Sequence, residues 1–181
     1  MQNQKILLSK AILKNSLIKL LKERPLDKIS VTLLCKTAGL NRSTFYAYYQ
    51  DVQDLMDEMV DEFVEEIPIL YQRMSDQEIL EKVNKYTKFL EENRDAFFAV
   101  VKYGDMEEKF TVLWKEQQLE YYSRDFSMVN AKMQEHFTLL CTFIVNGLTA
   151  LYSDWLQNEK YISSDDVAQM ILDIFRIARE I

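Results

Sequence analysis

Only three glycines and two prolines interrupt the 181 residues of this chain. A sheet protein needs many tight turns, and such turns draw on glycine and proline for conformations that other residues resist. The chain is rich instead in Leu, Lys, Glu, Met and Gln, which lose little side-chain freedom in a helix. The sequence therefore predicts an all-α protein. Hydrophobic residues make up 48%, enough for a real core at this length. No apolar run approaches the roughly 20 residues that span a bilayer, and the N-terminal stretch lacks the apolar segment and cleavage site of a secretory signal. Cys35 and Cys141 lie far apart in apolar helical patterns and read as buried free thiols, which fits the cytoplasm.

The net charge of −7 conceals a step. Residues 1–50 carry nine Lys/Arg against Glu23 and Asp27, a net of +7, whereas residues 51–181 carry a net of −14. A basic head on an acidic body is expected when one end meets phosphates and the other does not.

Helix signals recur along the chain. Residues 5–23 place Leu13, Leu17, Leu20 and Leu21 at helical spacing, with Lys10, Lys14 and Lys22 on another side. Arg24-Pro25 ends this helix, because the residue before a proline avoids the α region. Ser30 suits the N-cap of a helix over 31–38, with Leu34 and Ala38 inward, and Gly39 suits its left-handed C-cap. Asn41 is expected to cap a third helix over 42–48. A fourth runs over 52–66 and stops before Pro68. Ser75 with Glu78 forms a capping box for a helix to Asn93, and a helix over 94–103 halts at Gly104. Asp105 with Glu108 opens a helix to Arg124, a long apolar helix covers 130–158, and Ser163 with Asp166 opens the last. That makes about nine helices, without repeats or flexible linkers. The expected division is a head over 1–50, a connecting helix over 51–66 that begins the body, and a body over 51–181.

The stretch ISVTLLCKTAGLNRSTFYAYYQDVQDL, residues 29–55, carries the functional signal. Two helices of about seven residues cannot stand alone in water. Joined by a Gly turn and packed on a longer first helix, they form a helix-turn-helix whose second helix can enter a major groove. On that second helix Phe45 and Tyr49 share one face, the core side. Ser43, Thr44 and Ala47 point the other way, and Tyr46 and Tyr48 flank them, positions compatible with either DNA contact or packing. Arg42 at the helix entry can bind guanine O6 and N7 together. Thr32 sits where a hydroxyl meets a phosphate or base edge, and the hydroxyls of Ser43, Thr44, Tyr46 and Tyr48 suit phosphates.

The run A-G-L-N-R-S-T-F-Y-x-Y-Y followed by D-V-Q-D-L resembles the DNA-binding head of the TetR family of transcriptional regulators over residues 5–55. The resemblance implies groove and phosphate contacts from Thr32, Arg42, Ser43, Thr44, Tyr46 and Tyr48, palindromic double-stranded operator DNA as partner, and a homodimer. The chain departs from the family pattern at Gln50 and Val52, where lysines are frequent. Two phosphate contacts are then expected to be missing, leaving the lysines of the first helix to compensate.

Residues 143–156 with the following I-S-S-D-D-V-A-Q-M-I-L resemble the last two helices of a subgroup that includes regulators of dihydroxyacetone utilisation. The resemblance implies that these helices pair across a two-fold axis, with Gly147 and Ala150 permitting close approach and Phe143, Leu151, Trp155, Ile171 and Phe175 supplying apolar area. The aromatics of the middle helices, among them Tyr86, Phe89, Phe98, Trp114, Tyr121 and Tyr122, read individually as core. As a segment the resemblance makes them the lining of a pocket for a small apolar or aromatic effector.

Nothing in the sequence points to an enzyme. His136 is the one histidine, three glycines cannot build a phosphate-cradling loop, and the carboxylates are scattered along helical faces. No cofactor and no metal site are expected. The sequence thus predicts a TetR-type DNA-binding repressor released by a small molecule. The alternative is a TetR-like accessory activator that works through protein contacts with little or no operator binding.

Overall fold

The computed structural model describes residues 2–68, 74–106, 108, 109, 112, 131–158 and 162–180. Eight α-helices and one 3₁₀ turn lie among them: α1 (Gln2–Leu21), the 3₁₀ turn Leu26–Lys28, α2 (Val31–Ala38), α3 (Arg42–Tyr46), α4 (Val52–Glu66), α5 (Asp76–Glu92), α6 (Arg94–Tyr103), α7 (Ala131–Gln157) and α8 (Ser164–Glu180). Among the described residues there is no strand. The helix opened by Asp105 lies mostly outside them, as do the side chains of His136 and Cys141.

The chain divides into two compact units. The first comprises residues 1–62 with 95–105, and the second 63–94 with 106–181. Thus α4 begins in the first unit, and α6 belongs almost wholly to it.

In the first unit the periodic leucines of α1 do what their spacing requires: Leu13, Leu17 and Leu20 are buried, together with Leu34, Phe45, Leu55, Met56 and Met59. Fully burying one such side chain is worth roughly 1.5–3 kcal/mol relative to exposure. The helix ends are set by local chemistry. The Leu33 N–H donates to Ser30 Oγ at 3.2 Å, and Gly39 closes α2 with φ of 65°. Cys35 is buried beside Leu34, whereas Ala38 is half-buried. Asn41 precedes α3 but makes no side-chain cap, and α3 ends at Tyr46 rather than 48. The backbone continues for a further turn beyond it, with the Tyr49 N–H donating to the Phe45 carbonyl at 3.0 Å. A five-residue helix is too short to close regular bonds at both ends, so this looser turn takes over.

In the second unit α5 and α8 form the principal packed pair. Ile79, Val83, Tyr86 and Leu90 of α5 are buried, as are Val167, Ala168, Ile171 and Leu172 of α8. Both helices open with reciprocal caps: Ser75 with Glu78, and Ser163 with Asp166. Arg176 ties their ends by donating Nη2 to Asp76 Oδ2 at 2.7 Å. The aromatic residues stack inside this unit, with the Tyr86 ring 5.5 Å from that of Tyr152, edge-on, and Phe63 5.0 Å from Phe89.

Candidate nucleic-acid interface

The first unit presents a small polar surface over an apolar anchor. Phe45 is fully buried and Tyr49 nearly so, which fixes one face of α3 and the turn after it in the core. The opposite face is in solvent: Arg42, Ser43 and Ala47 are exposed and Tyr46 is 50% exposed. Thr32 on the first turn of α2 is exposed as well, as is Lys36. The sequence-derived division into core and outward residues holds for these positions. Thr44 and Tyr48 are half-buried, and Tyr48 meets the Tyr49 ring edge-on at 6.4 Å. These two therefore sit at the margin of the surface rather than in its middle.

Arg42 is pre-positioned. Its guanidinium lies 5.6 Å over the Tyr46 ring and Nη2 donates to the Tyr46 hydroxyl at 3.3 Å. A planar fork stacked on an aromatic face loses less side-chain freedom when it engages a planar, double-acceptor edge.

The electrostatics differ from the sequence expectation in one respect. The sequence assigns the lysines of α1 to supply the cations missing at Gln50 and Val52, yet three of them are already paired. Lys10 and Lys14 meet Glu58 at 2.5 and 2.6 Å, Lys14 also meets Glu62, and Lys22 meets Asp95 of α6. The cause is the acidic face that α4 lays along α1 for Lys10 and Lys14, and Asp95 of α6 for Lys22 just beyond the end of α1, neither of which helical periodicity within one helix reveals. Glu58 is held below the ordinary carboxylate range: burial opposes its ionisation, but Lys10, Lys14 and the Tyr49 hydroxyl outweigh it. Among the described residues Lys5, Lys19, Lys36 and Arg42 remain as head cations outside an ion pair. Val52 is buried, and the start of α4 is acidic. Asp51 Oδ1 accepts the Asp54 N–H at 2.9 Å, while Asp54 Oδ2 accepts the Gln50 N–H at 2.8 Å. Two of the N–H groups that could meet a phosphate there, those of Gln50 and Asp54, are thus engaged by carboxylates.

A groove of about 570 Å³ in the same unit is lined by Pro25, Leu26, Ile29, Val52 and Tyr103, with Asp27 and Asp51 among its polar residues. Among the described residues no cluster of His, Cys, Asp and Glu could hold a metal ion, and no described helix is long and apolar enough to cross a membrane.

Three of the expected effector-pocket residues lie among the described ones, in two different units. Tyr86 is buried and Phe89 half-buried in the second unit, and Phe98 is half-buried on α6 in the first. Trp114, Tyr121 and Tyr122 lie outside the described residues. The expected self-association residues also divide. Phe143 is 76% exposed, and Gly147 and Ala150 are exposed with no neighbouring atom within 4 Å of a Cβ built at Gly147. Leu151 and Phe175 are half-buried. Trp155 and Ile171 are buried inside the chain, Trp155 donating Nε1–H to the Ile162 carbonyl at 3.0 Å, so their apolar area is spent internally. Large apolar residues that sequence periodicity passed over stand in solvent instead: Leu139 on α7, and Met170, Ile174 and Ile177 on α8, are all exposed. Their spacing, four residues before Phe143 and then 170, 174 and 177, could have identified both stripes.

No protein-family model and no curated protein sequence matches the chain. Solved structures do. A TetR transcriptional regulator from Streptococcus agalactiae aligns over 96% of each chain with 23% identity and a TM-score of 0.55. The dihydroxyacetone kinase operon activator DhaS aligns over 96% of this chain and 97% of its own, with 16% identity and a TM-score of 0.58. A TetR-family regulator from Streptomyces coelicolor aligns over 92% of this chain and 78% of its own, with 15% identity and a TM-score of 0.60. With a helix-turn-helix over α2 and α3 and no strand among the other described residues, the chain has the fold of the TetR family of transcriptional regulators.

Proposed function

We propose that this protein is a sequence-specific DNA-binding transcriptional regulator that acts as a homodimer. One observation carries the reading: Arg42, Ser43, Tyr46 and Ala47 form an exposed face directly above the buried Phe45, at the place where a helix-turn-helix presents its groove-entering residues. Arg42 reads a base edge, Thr32, Ser43 and Tyr46 position the backbone, and Thr44 and Tyr48 contact it from the margin. A single head of this size binds weakly, and two heads one helical turn apart (~34–36 Å) read both halves of a palindrome. The exposed apolar stripes of α7 and α8 suit the pairing of two copies, because solvent-exposed Phe and Ile at helical spacing call for a partner. The regulator acts as a repressor, and a small apolar or aromatic effector taken up by the second unit releases it.

Two features favour a second reading, an accessory activator working through protein contacts: the pairing of Lys10, Lys14 and Lys22 with carboxylates, and the acidic start of α4. One structural neighbour, DhaS, is an operon activator, which agrees with that reading. Gel retardation of the DNA upstream of the protein's own gene separates the two. A shift whose affinity falls steeply with salt supports the operator-binding reading, as release of counterions from phosphates requires. Absence of a shift at low salt supports the accessory one.

A further inference from the structure

The five-residue α3 cannot fix its own orientation. A single turn gains too few internal bonds to offset the backbone entropy of forming it, so whatever angle it presents to a ligand is imposed from outside. Phe45 supplies one anchor, fully buried, but burial of an apolar ring has no direction and sets depth rather than rotation. A directional anchor exists at Tyr49. Its N–H bonds the Phe45 carbonyl at 3.0 Å and its ring lies 5.6 Å from the Phe45 ring, so Tyr49 moves with α3. Its hydroxyl donates to Glu58 Oε1 at 2.9 Å.

Glu58 is itself immobilised from a third element. Lys14 Nζ donates to the same Oε1 at 2.6 Å, and Lys10 Nζ to Oε2 at 2.5 Å. The Lys10 ammonium also lies 5.3 Å over the Tyr49 ring. One carboxylate thereby joins α1, α4 and the turn that ends α3, with both oxygens engaged by charge-assisted bonds, which are shorter and stronger than neutral ones. We propose that Glu58 is a positioning residue for the groove-facing surface. Through Tyr49 it sets the rotation at which α3 presents Arg42, Ser43 and Tyr46, with Lys10 and Lys14 acting as struts for the carboxylate rather than as phosphate contacts. This rests on the DNA-binding reading given above.

The test uses the full-length chain and three variants: Tyr49→Phe, which removes the hydroxyl alone, Glu58→Gln, which keeps an acceptor but loses the charge, and Glu58→Ala. Two readouts are taken. The first is the ratio of affinities for a duplex selected from a randomised pool by the wild-type protein and for a scrambled duplex of equal length, at one salt concentration. Tyr49→Phe and Glu58→Ala are expected to lower this ratio by about tenfold, the size of one lost hydrogen bond to a charged group, and Glu58→Gln to recover part of it. The second needs no DNA: amide hydrogen exchange over residues 43–49, measured against that of α2. In Tyr49→Phe and Glu58→Ala it is expected to accelerate about tenfold relative to α2. If the variants lose only global stability, with the ratio and the local exchange unchanged, Glu58 is a structural residue and the proposal is overturned. If selection enriches no duplex, the DNA-binding reading fails, while the exchange measurement still decides whether Glu58 orients α3.

Discussion

Arg42 donates Nη2–H to the hydroxyl of Tyr46 at 3.3 Å while its guanidinium covers the Tyr46 ring at 5.6 Å. The two residues are one turn apart on α3 and both stand in solvent, so each limits the conformations of the other without drawing either into the core. Replacing Arg42 with Ala should relax base preference at one position in each half-site, at about 1–3 kcal/mol of discrimination. Affinity for unrelated duplex should fall much less. Binding measured on a panel of single-base operator variants checks this, and an equal loss on every sequence would refute base reading by Arg42.

The ion pairs around α1 set an upper limit on the salt response. With Lys10, Lys14 and Lys22 paired, Lys5, Lys19, Lys36 and Arg42 are the head cations outside an ion pair among the described residues. A dimer supplying four from each subunit would show a slope of log affinity against log salt no steeper than about −7. Lys36→Ala should reduce that slope, and Lys10→Ala should leave it nearly unchanged. A steeper slope, or one that drops with Lys10→Ala, would mean that the carboxylates release these lysines to DNA.

Acid should loosen the first unit through Glu58. Its folded-state pKa lies below the ordinary 4.5 because Lys10, Lys14 and Tyr49 outweigh the opposing effect of burial. A depressed pKa gives stability that is fully present above the unfolded value and is lost as pH falls through the folded one. Lys14 behaves in the opposite sense. Burial works to lower its pKa, but Glu58 and Glu62 raise it above 10.5, so its share persists below that value and is lost at higher pH. Urea unfolding as a function of pH should show Glu58→Gln flattening the acid limb. An unaltered acid limb would count against the network.

Two glycines separate strain from space. Gly39 has φ of +65° and open surroundings, whereas a Cβ on Gly104 would lie 2.3 Å from Val60 Cγ2 and 2.8 Å from the Val100 carbonyl oxygen. Gly39→Ala should cost about 1–2 kcal/mol, the penalty of the left-handed region alone. Gly104→Ala should cost about 1–3 kcal/mol by overpacking, and Val60→Ala in the same chain should relieve only part of it because the carbonyl clash remains. Denaturant midpoints of the single and double variants measure both.

Self-association should depend on exposed side chains. Phe143 is 76% and Ile174 53% exposed, so Phe143→Asp and Ile174→Asp should leave helical content and thermal unfolding of the chain nearly intact while shifting its sedimentation to the monomer. Trp155→Ala, by contrast, should unfold the chain before it separates copies, because Trp155 is 6% exposed and bonded to Ile162.

Local chemistry made much of the fold legible in the amino-acid order alone. The ends of α2, α4 and α6 follow from Ser30, Gly39, the residues before Pro68, and Gly104, and the openings of α5 and α8 from Ser75 with Glu78 and Ser163 with Asp166. Each of these signals acts within four residues or so, which is why no tertiary information was needed. The same holds for the outward face of α3, because Phe45 and Tyr49 are spaced to share one side. Asn41, which makes no cap, shows the limit of such signals when the helix that follows is only five residues long.

What tertiary structure alone decided is which charges remain available and which aromatics are spent. Lys10 and Lys14 find carboxylates 48 residues away, Lys22 one 73 away, and Arg176 one 100 away. Composition counts these lysines as basic, but Coulomb attraction depends on the distance after folding. Trp155 and Ile171 turned inward while Leu139 and Ile177 faced solvent, because a helix wheel gives the sides of a helix but not which neighbour covers each one.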